Sequence, residues 1–328
     1  ISTAEGQDIV RKLAAKSDVV LENYKVGQLK KYGLGYDDLK AINPKIVYCT
    51  ITGFGQTGPW SHRPGYDFII QGLGGLMSIT GERDDLPGGG LQKVGVAVSD
   101  FMTGMYSTIA VLAALTHRDR TGVGQYIDMA LLDVSVAMLA NMNMNYLTSG
   151  QVPKRWGNAH PNVIPYQVFA CSDGHIIVAV GNDSQFRKFC EVLDSPELGV
   201  DPRFTTNSNR IRNRDTLIPL LEPLMQARSR DAWVDALEAA SVPCGPINNI
   251  DQVFQNPQVK ARGIKIEIPH ELAGKVPQVA SPMRFSETPI EYNAAPPTLG
   301  QHNEYVLREL LGMQTDAIEG LRRIHVVD

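Results

Sequence analysis

The chain has 328 residues, 43% hydrophobic and 20% charged, with a formal net charge of -4 and a pI near 6.0. That length and balance describe a globular chain with two domains or one large one. The weak acidity and the lack of a long Lys/Arg stripe argue against a nucleic-acid partner, and no apolar run reaches the ~18–20 residues of a membrane span. Ile1–Gly6 lacks the basic start and apolar core of a signal peptide. Cys49, Cys171, Cys190 and Cys244 show no CxxC spacing, and the first two sit in strand-like runs. They read as buried free thiols suited to a reducing, cytoplasmic setting, and no metal site is expected.

In chain order, Ser2-Thr-Ala-Glu5 is a candidate capping box opening a helix over 4–16, with Ile9, Val10, Leu13 and Ala14 on one face. The chain therefore begins as if inside an α/β pattern whose opening elements precede it. Asp18–Glu22 reads as a strand, 36–43 as a short helix stopped by Pro44, and Ile46–Ile51 as a near-continuous apolar strand. Short apolar strands separated by helices imply βαβ units and a buried parallel sheet. A loop over 53–64, a helical stretch over 66–78 and the exposed turn Pro87-Gly-Gly-Gly90 follow. Val94, Val96 and Val98 alternate as a strand would, and 101–117 reads as a helix. A strand at 126–129 and one long helix over 131–147 complete a first domain, 1–150.

After Gly150 the character changes. Tyr166–Cys171 and His175–Val180 around Asp173-Gly174 read as a β-hairpin. Amphipathic helices are expected at 184–193, 214–227 and 230–240, and a short one at 250–254. This is a smaller α+β domain, 151–265. The remainder, 266–328, is irregular and Pro-rich, with a helix over 302–311, and could return to the first domain.

Asp100 is the most informative residue. The pattern puts it where a strand gives way to a helix, the crevice where open α/β sheets place their chemistry. The helix N-terminus would keep it anionic, and a positioned carboxylate can attack an acyl group. The ordinary role of such a residue is capping. Asn23-Tyr24-Lys25 follows the first strand, with Lys30 and Lys31 close behind: a solvated basic face, or a ring to stack and ammonium groups for phosphates. The Gly-rich loop Thr52–Pro59 is a flexible connection or a close backbone approach to a ligand. Gly72-Leu-Gly74-Gly75 lacks the strand–turn–helix context of a dinucleotide site. His160 lies in a Gly/Asn/Pro loop between domains, where pockets often form, though a surface role is the default.

Taken together, Val20-Leu-Glu-Asn-Tyr24, Gly33-Leu-Gly-Tyr36, Thr52–Pro59, Arg63-Pro-Gly-Tyr-Asp67, the Asp100 segment, Thr121–Gln125, Asp173-Gly174, Cys244–Pro246 and Leu299–His302 resemble the class III CoA-transferase family. That family includes formyl-CoA and carnitine CoA-transferases and alpha-methylacyl-CoA racemase. The resemblance implies a large Rossmann-like domain built from both chain ends, a small α+β domain between them, and an interlocked homodimer. It implies coenzyme A as co-substrate and no metal. It makes Asp100 the catalytic residue and gives CoA contacts to Asn23, Tyr24, Lys25, Lys31, Arg63, Gly65, Tyr66 and Asp67.

Lys31 stands where the family commonly has an arginine, keeping the charge and losing the fork. Tyr66 stands where the racemases have a histidine base. A phenol with a pKa near 10 is a poor one, so racemisation is disfavoured. Gly157, Asn158 and His160 match the start of a glycine flap over the acyl site, with Pro161-Asn-Val replacing its glycines. Trp156-Gly157, Pro165–Gln167 and Gly245–Asn249 look closest to the succinate–hydroxymethylglutarate CoA-transferase subgroup, whose substrates are dicarboxylates. Arg63 or Arg155 could pair with a distal carboxylate, although surface ion pairing is the safer default. A racemase and a non-catalytic CoA-binding subunit remain the alternatives.

Overall fold

A computed structural model describes residues 1–327. The fold is mixed α/β, with one parallel sheet and two antiparallel ones. It forms two compact units, residues 1–155 with 297–328 and residues 156–296.

In the first unit, helix α1 (Ala4–Lys16) is capped by Thr3, whose hydroxyl accepts from the Gly6 N–H, so the cap falls one residue after the expected Ser2. Strands β1 (Val19–Glu22), β2 (Val47–Thr52) and β3 (Tyr126–Ala130) pair in parallel in that order. Val19 faces Val47 and Tyr48 faces Tyr126. Parallel pairing demands crossovers, and helix α2 (Tyr36–Ile42) supplies the first. Side chains on alternate positions then split the sheet into two faces. One face carries Tyr48 and Tyr126, which gather with Tyr36 at ring separations of 5.3–6.1 Å. The buried Tyr48 hydroxyl donates to the Leu34 carbonyl.

The long crossover from β2 to β3 holds helices α3 (Asp67–Leu73), α4 (Leu76–Ile79) and α5 (Val98–Thr121). The helical stretch expected over 66–78 is broken at Gly74-Gly75, where Gly75 is left-handed. Val94–Val98 is no strand. The Gln71 side chain takes the Val94 N–H and the Val96 carbonyl, the groups a ladder would need, and α5 already begins at Val98. The segment expected as one helix over 131–147 is two, α6 (Leu131–Met138) and α7 (Asn141–Ser149), because Ala140 adopts a φ of 47° between them.

Helix α5 corrects the membrane reading of the sequence: by length and composition it is apolar enough to cross a bilayer. Its charged residues lie near its ends, leaving an uncharged stretch between. Here it packs on β2, β3, α3 and α6. Its buried residues are small (Ser99, Thr103, Ser107 and Ala114), while Phe101, Met105, Ile109 and Leu112 are exposed.

The second unit holds the expected hairpin, β4 (Tyr166–Cys171) with β5 (Gly174–Ala179), extended by β6 (Cys244–Pro246). Helices α8 (Asp183–Val192), α9 (Pro196–Val200), α10 (Asn207–Arg212), α11 (Arg214–Met225) and α12 (Arg230–Ala239) follow the hairpin. Phe169, Val178, Phe186, Phe189, Leu217, Leu221, Met225 and Trp233 form its core. Burial pushes the Cys190 thiol up to about 12, which makes it an inert packing group. After α13 (Ile250–Gln255) and α14 (Pro257–Ala261) comes a hairpin the sequence reading missed, β7 (Lys265–His270) with β8 (Gly274–Val279). It belongs to this unit, which runs to Pro296 rather than ending at 265. The tail returns to the first unit with α15 (Asn303–Tyr305), a π-helical turn Val306–Leu310 and α16 (Thr315–Arg323). The last helix was also missed; it buries Ile318 and Leu321 against Leu307.

Candidate active site

A cavity of about 510 Å³ opens in the first unit at the carboxyl ends of β1 and β2. Its walls are the turn Asn23–Val26, the strand end Ile51–Gly53, the loop 61–66, the first turns of α5 and Leu131. A parallel sheet directs its strand ends and helix N-termini to one edge, which is why a crevice forms there.

Each wall has a local cause. Glu22 accepts from the Tyr24 N–H at 2.7 Å and turns the chain out of β1. Burial raises the proton affinity of Glu22, against the opposing pull of that N–H. Asn23, Tyr24 and Lys25 are exposed along the turn. Opposite them, Gly53 and Gly65 touch backbone to backbone. A Cβ at either position would lie 2.5 Å from the other's Cα, so only glycine fits at both. Arg63 stacks on Trp60 at 4.6 Å, and Trp60 meets Phe54 edge-on at 5.6 Å. Tyr66 is 73% exposed at the rim.

Asp100 lies in the first turn of α5 on the cavity wall. One expectation about it is corrected: it follows a loop rather than a strand. Its carboxyl is pushed above its ordinary value, first by partial burial and then by the neighbouring Asp67. These outweigh the favourable helix terminus. The residue as a whole is exposed. Asp67 does not line the cavity. Its Oδ1 accepts from the Ser99 N–H at 2.8 Å and its Oδ2 from Gln71 Nε2 at 2.7 Å. Lys31 sits in the short turn Leu29–Tyr32 and is not among the lining residues either.

Sequence reasoning missed Glu22, Ser61, His62 and Gly104 as lining residues. Glu22 could have been found as a charged residue ending an apolar strand. A second cavity of about 300 Å³ adjoins the first at Glu22 and Lys25, on the tyrosine face of the sheet. Among the described residues, no cluster of three His, Cys, Asp or Glu could hold a metal ion.

Gly157, Asn158 and His160 belong to the second unit, in a loop held at many points. The Arg214 guanidinium stacks on Trp156 at 4.3 Å and donates to the carbonyls of His160 and Pro161. The His160 N–H donates to the Tyr166 carbonyl, and His160 Nδ1 accepts from the Asn162 N–H. Fully buried Arg210 donates to the Ile164 carbonyl at 2.6 Å. Arg155, weighed above as a carboxylate partner, belongs to the first unit and is paired with Asp84.

Comparison with known proteins extends these observations. A family model described as CoA-transferase family III matches residues 1–303. The chain is 47% identical over 310 residues to the succinate–glutarate CoA-transferase of Agrobacterium fabrum (strain C58 / ATCC 33970), covering 94% of this chain and 76% of that protein. It is 41% identical over 328 residues to the human succinyl-CoA:glutarate CoA-transferase, covering 100% of this chain and 74% of that protein. The crystal structure of a CAIB/BAIF family protein from Brucella suis superposes with a TM-score of 0.81 at 50% identity, covering 94% of this chain and 79% of that one.

Proposed function

The chain belongs to CoA-transferase family III and is an enzyme of that class, and from that premise we propose that it moves coenzyme A from succinyl-CoA to a second dicarboxylic acid such as glutarate, with Asp100 as the nucleophile. The observation that carries this reading is the position of Asp100 on the wall of a strand-end cavity that also presents Lys25 and Arg63. These two cations suit the phosphates of coenzyme A and a distal carboxylate. Asn23, Tyr24, Gly65 and Tyr66 line the same space. Gly157, Asn158 and His160 are kept as the proposed acyl-side residues.

In this mechanism an Asp100 oxygen attacks the thioester carbonyl and expels the CoA thiolate, leaving a mixed aspartyl–acyl anhydride. The thiolate attacks the aspartyl carbonyl, releases the donor acid and leaves an aspartyl–CoA thioester. The acceptor carboxylate attacks that thioester, and the freed thiolate then takes the acceptor's acyl group and returns Asp100 as a carboxylate. The thioester energy stays covalent, so no nucleoside triphosphate is consumed. A positioned N–H donor contributes about 3–4 kcal/mol to each tetrahedral oxyanion. The raised proton affinity of Asp100 makes it a better nucleophile once ionised.

Water must be kept from the anhydride. Asp100 is exposed in the single chain, and so are Phe101 (70%) and Met105 (50%) beside it. We therefore propose that the enzyme works as an interlocked homodimer in which a second copy covers this end of α5, with the first unit as a Rossmann-like large domain. The test assays succinyl-CoA against a panel of dicarboxylic acids and examines Asp100 by mass spectrometry after hydroxylamine trapping. Transfer to glutarate, a hydroxamate on Asp100 and an inactive Asp100→Asn are expected. Full activity of Asp100→Asn refutes the role.

A further inference from the structure

Helix α5 has no cap of its own. Its N-cap residue is Ala97, which has no side-chain acceptor to offer. The second helical N–H, that of Ser99, is taken instead by Asp67 from α3. One turn further along α3, Gln71 is fully buried. Its Nε2 donates to Asp67 Oδ2 at 2.7 Å and to the Val96 carbonyl at 3.4 Å, and its Oε1 accepts from the Val94 N–H at 2.9 Å. A single amide thus fixes the carboxylate that caps α5 and both flanks of Gly95, in the loop leading to Asp100. The buried Ser99 hydroxyl is held from the other side by Ser135 at 2.9 Å.

We infer that Gln71, acting through Asp67, is a positioning residue for Asp100: it aims the first turn of α5 at the cavity and keeps a second carboxylate in place behind the first. This rests on the reading of Asp100 as the nucleophile. Nothing in the proposed chemistry requires Gln71 to touch substrate. A neutral amide is needed because one end must donate to a carboxylate while the other accepts from the backbone. The charged and titratable groups near this amide are few. Asp67 is on its own helix, and Asp100 and the exposed Tyr106 are on α5. Lys93 is on the loop, with its ammonium on the Val94 carbonyl, and Asp133 is exposed on α6.

The test compares Gln71→Met and Gln71→Glu with Asp100→Asn. Gln71→Met keeps the volume and removes every bond. It should lower kcat about 10- to 100-fold with KM for succinyl-CoA changed by less than about threefold, because the cavity walls stay and only the aim is lost. Faster hydrogen exchange at the Val94 and Ser99 amides should accompany it. Gln71→Glu is the discriminating variant. Protonated, its carboxyl can donate to Asp67 and accept from the Val94 N–H, losing only the longer bond to the Val96 carbonyl; ionised, it repels Asp67. Its kcat should approach wild type at acidic pH and fall as pH rises, relative to wild type at each pH, a profile that a loss of packing would not give. If Gln71→Met does not fold, this profile alone decides. Wild-type kcat across pH in the Gln71 variants, beside an inactive Asp100→Asn, overturns the inference alone. An active Asp100→Asn overturns it together with the reading it rests on.

Discussion

Helix α5 buries Ser99, Thr103 and Ser107 and exposes Phe101, Met105, Ile109 and Leu112, whereas α11 and α12 of the second unit bury Leu217, Leu221, Met225, Trp233 and Leu237. The second arrangement is the usual amphipathic one, in which a helix gains stability from its own chain. The first turns it inside out. Small residues four apart let α5 lie close to the sheet, and its large apolar surface is left for something else to cover. The second unit closes around its own core, whereas the first leaves a large apolar surface exposed beside Asp100.

That contrast can be broken at its strongest point first. Leu221→Ala should cost the second unit about 2–5 kcal/mol, because it opens a cavity in a closed core, and calorimetry should show one transition lowered with transferase activity kept below it. In the first unit the backbone position to change at the cavity is Gly53. Gly53→Ala should cost about 1–3 kcal/mol or more, since the new methyl meets the Gly65 backbone rather than a movable side chain, and it should cut activity as well. On the exposed face of α5, Ile109→Asn and Leu112→Asn should change chain unfolding by no more than about 0.5 kcal/mol. The same substitutions should shift the sedimentation profile toward monomer and abolish transfer. Unchanged sedimentation would mean that this face is not covered by a second copy.

The smallest effect concerns Asp100 itself. Its folded proton affinity lies above the unfolded value, so its ionised form opposes folding. The opposition is absent while both states are protonated and complete once pH exceeds the folded value. Asp100→Asn should therefore melt slightly higher than wild type at neutral pH, with the gap closing on acidification. Wild-type activity should fall at a higher pH than an unperturbed aspartate near 3.9 would give.

Much of this was legible because the informative residues are local. The runs Val19–Leu21 and Val47–Ile51 are mostly apolar over the length of a short strand, and they placed the sheet and the crevice at its edge. Asn23, Tyr24, Lys25, Arg63, Gly65, Tyr66 and Asp100, which the resemblance grouped as cofactor-side and catalytic residues, line one cavity. What was not legible depends on partners distant in sequence. Val94, Val96 and Val98 alternate like a strand, but a side chain from α3 takes the backbone groups of that segment. Asp67 looked like a ligand contact and instead caps a helix 32 residues away. The β7–β8 hairpin was hidden by Pro269 and Pro277, which an isolated two-stranded ribbon tolerates because each strand has a free edge.

The contact between Gly53 and Gly65 has a mechanical consequence. With no side chain on either to act as a cushion, the end of β2 and the loop carrying Arg63 and Tyr66 cannot approach further and have little room to slide. A ligand pressing on that loop would therefore push on the end of the central strand, and the Leu132 N–H, bonded to the Gly53 carbonyl, would tie that push to the start of α6.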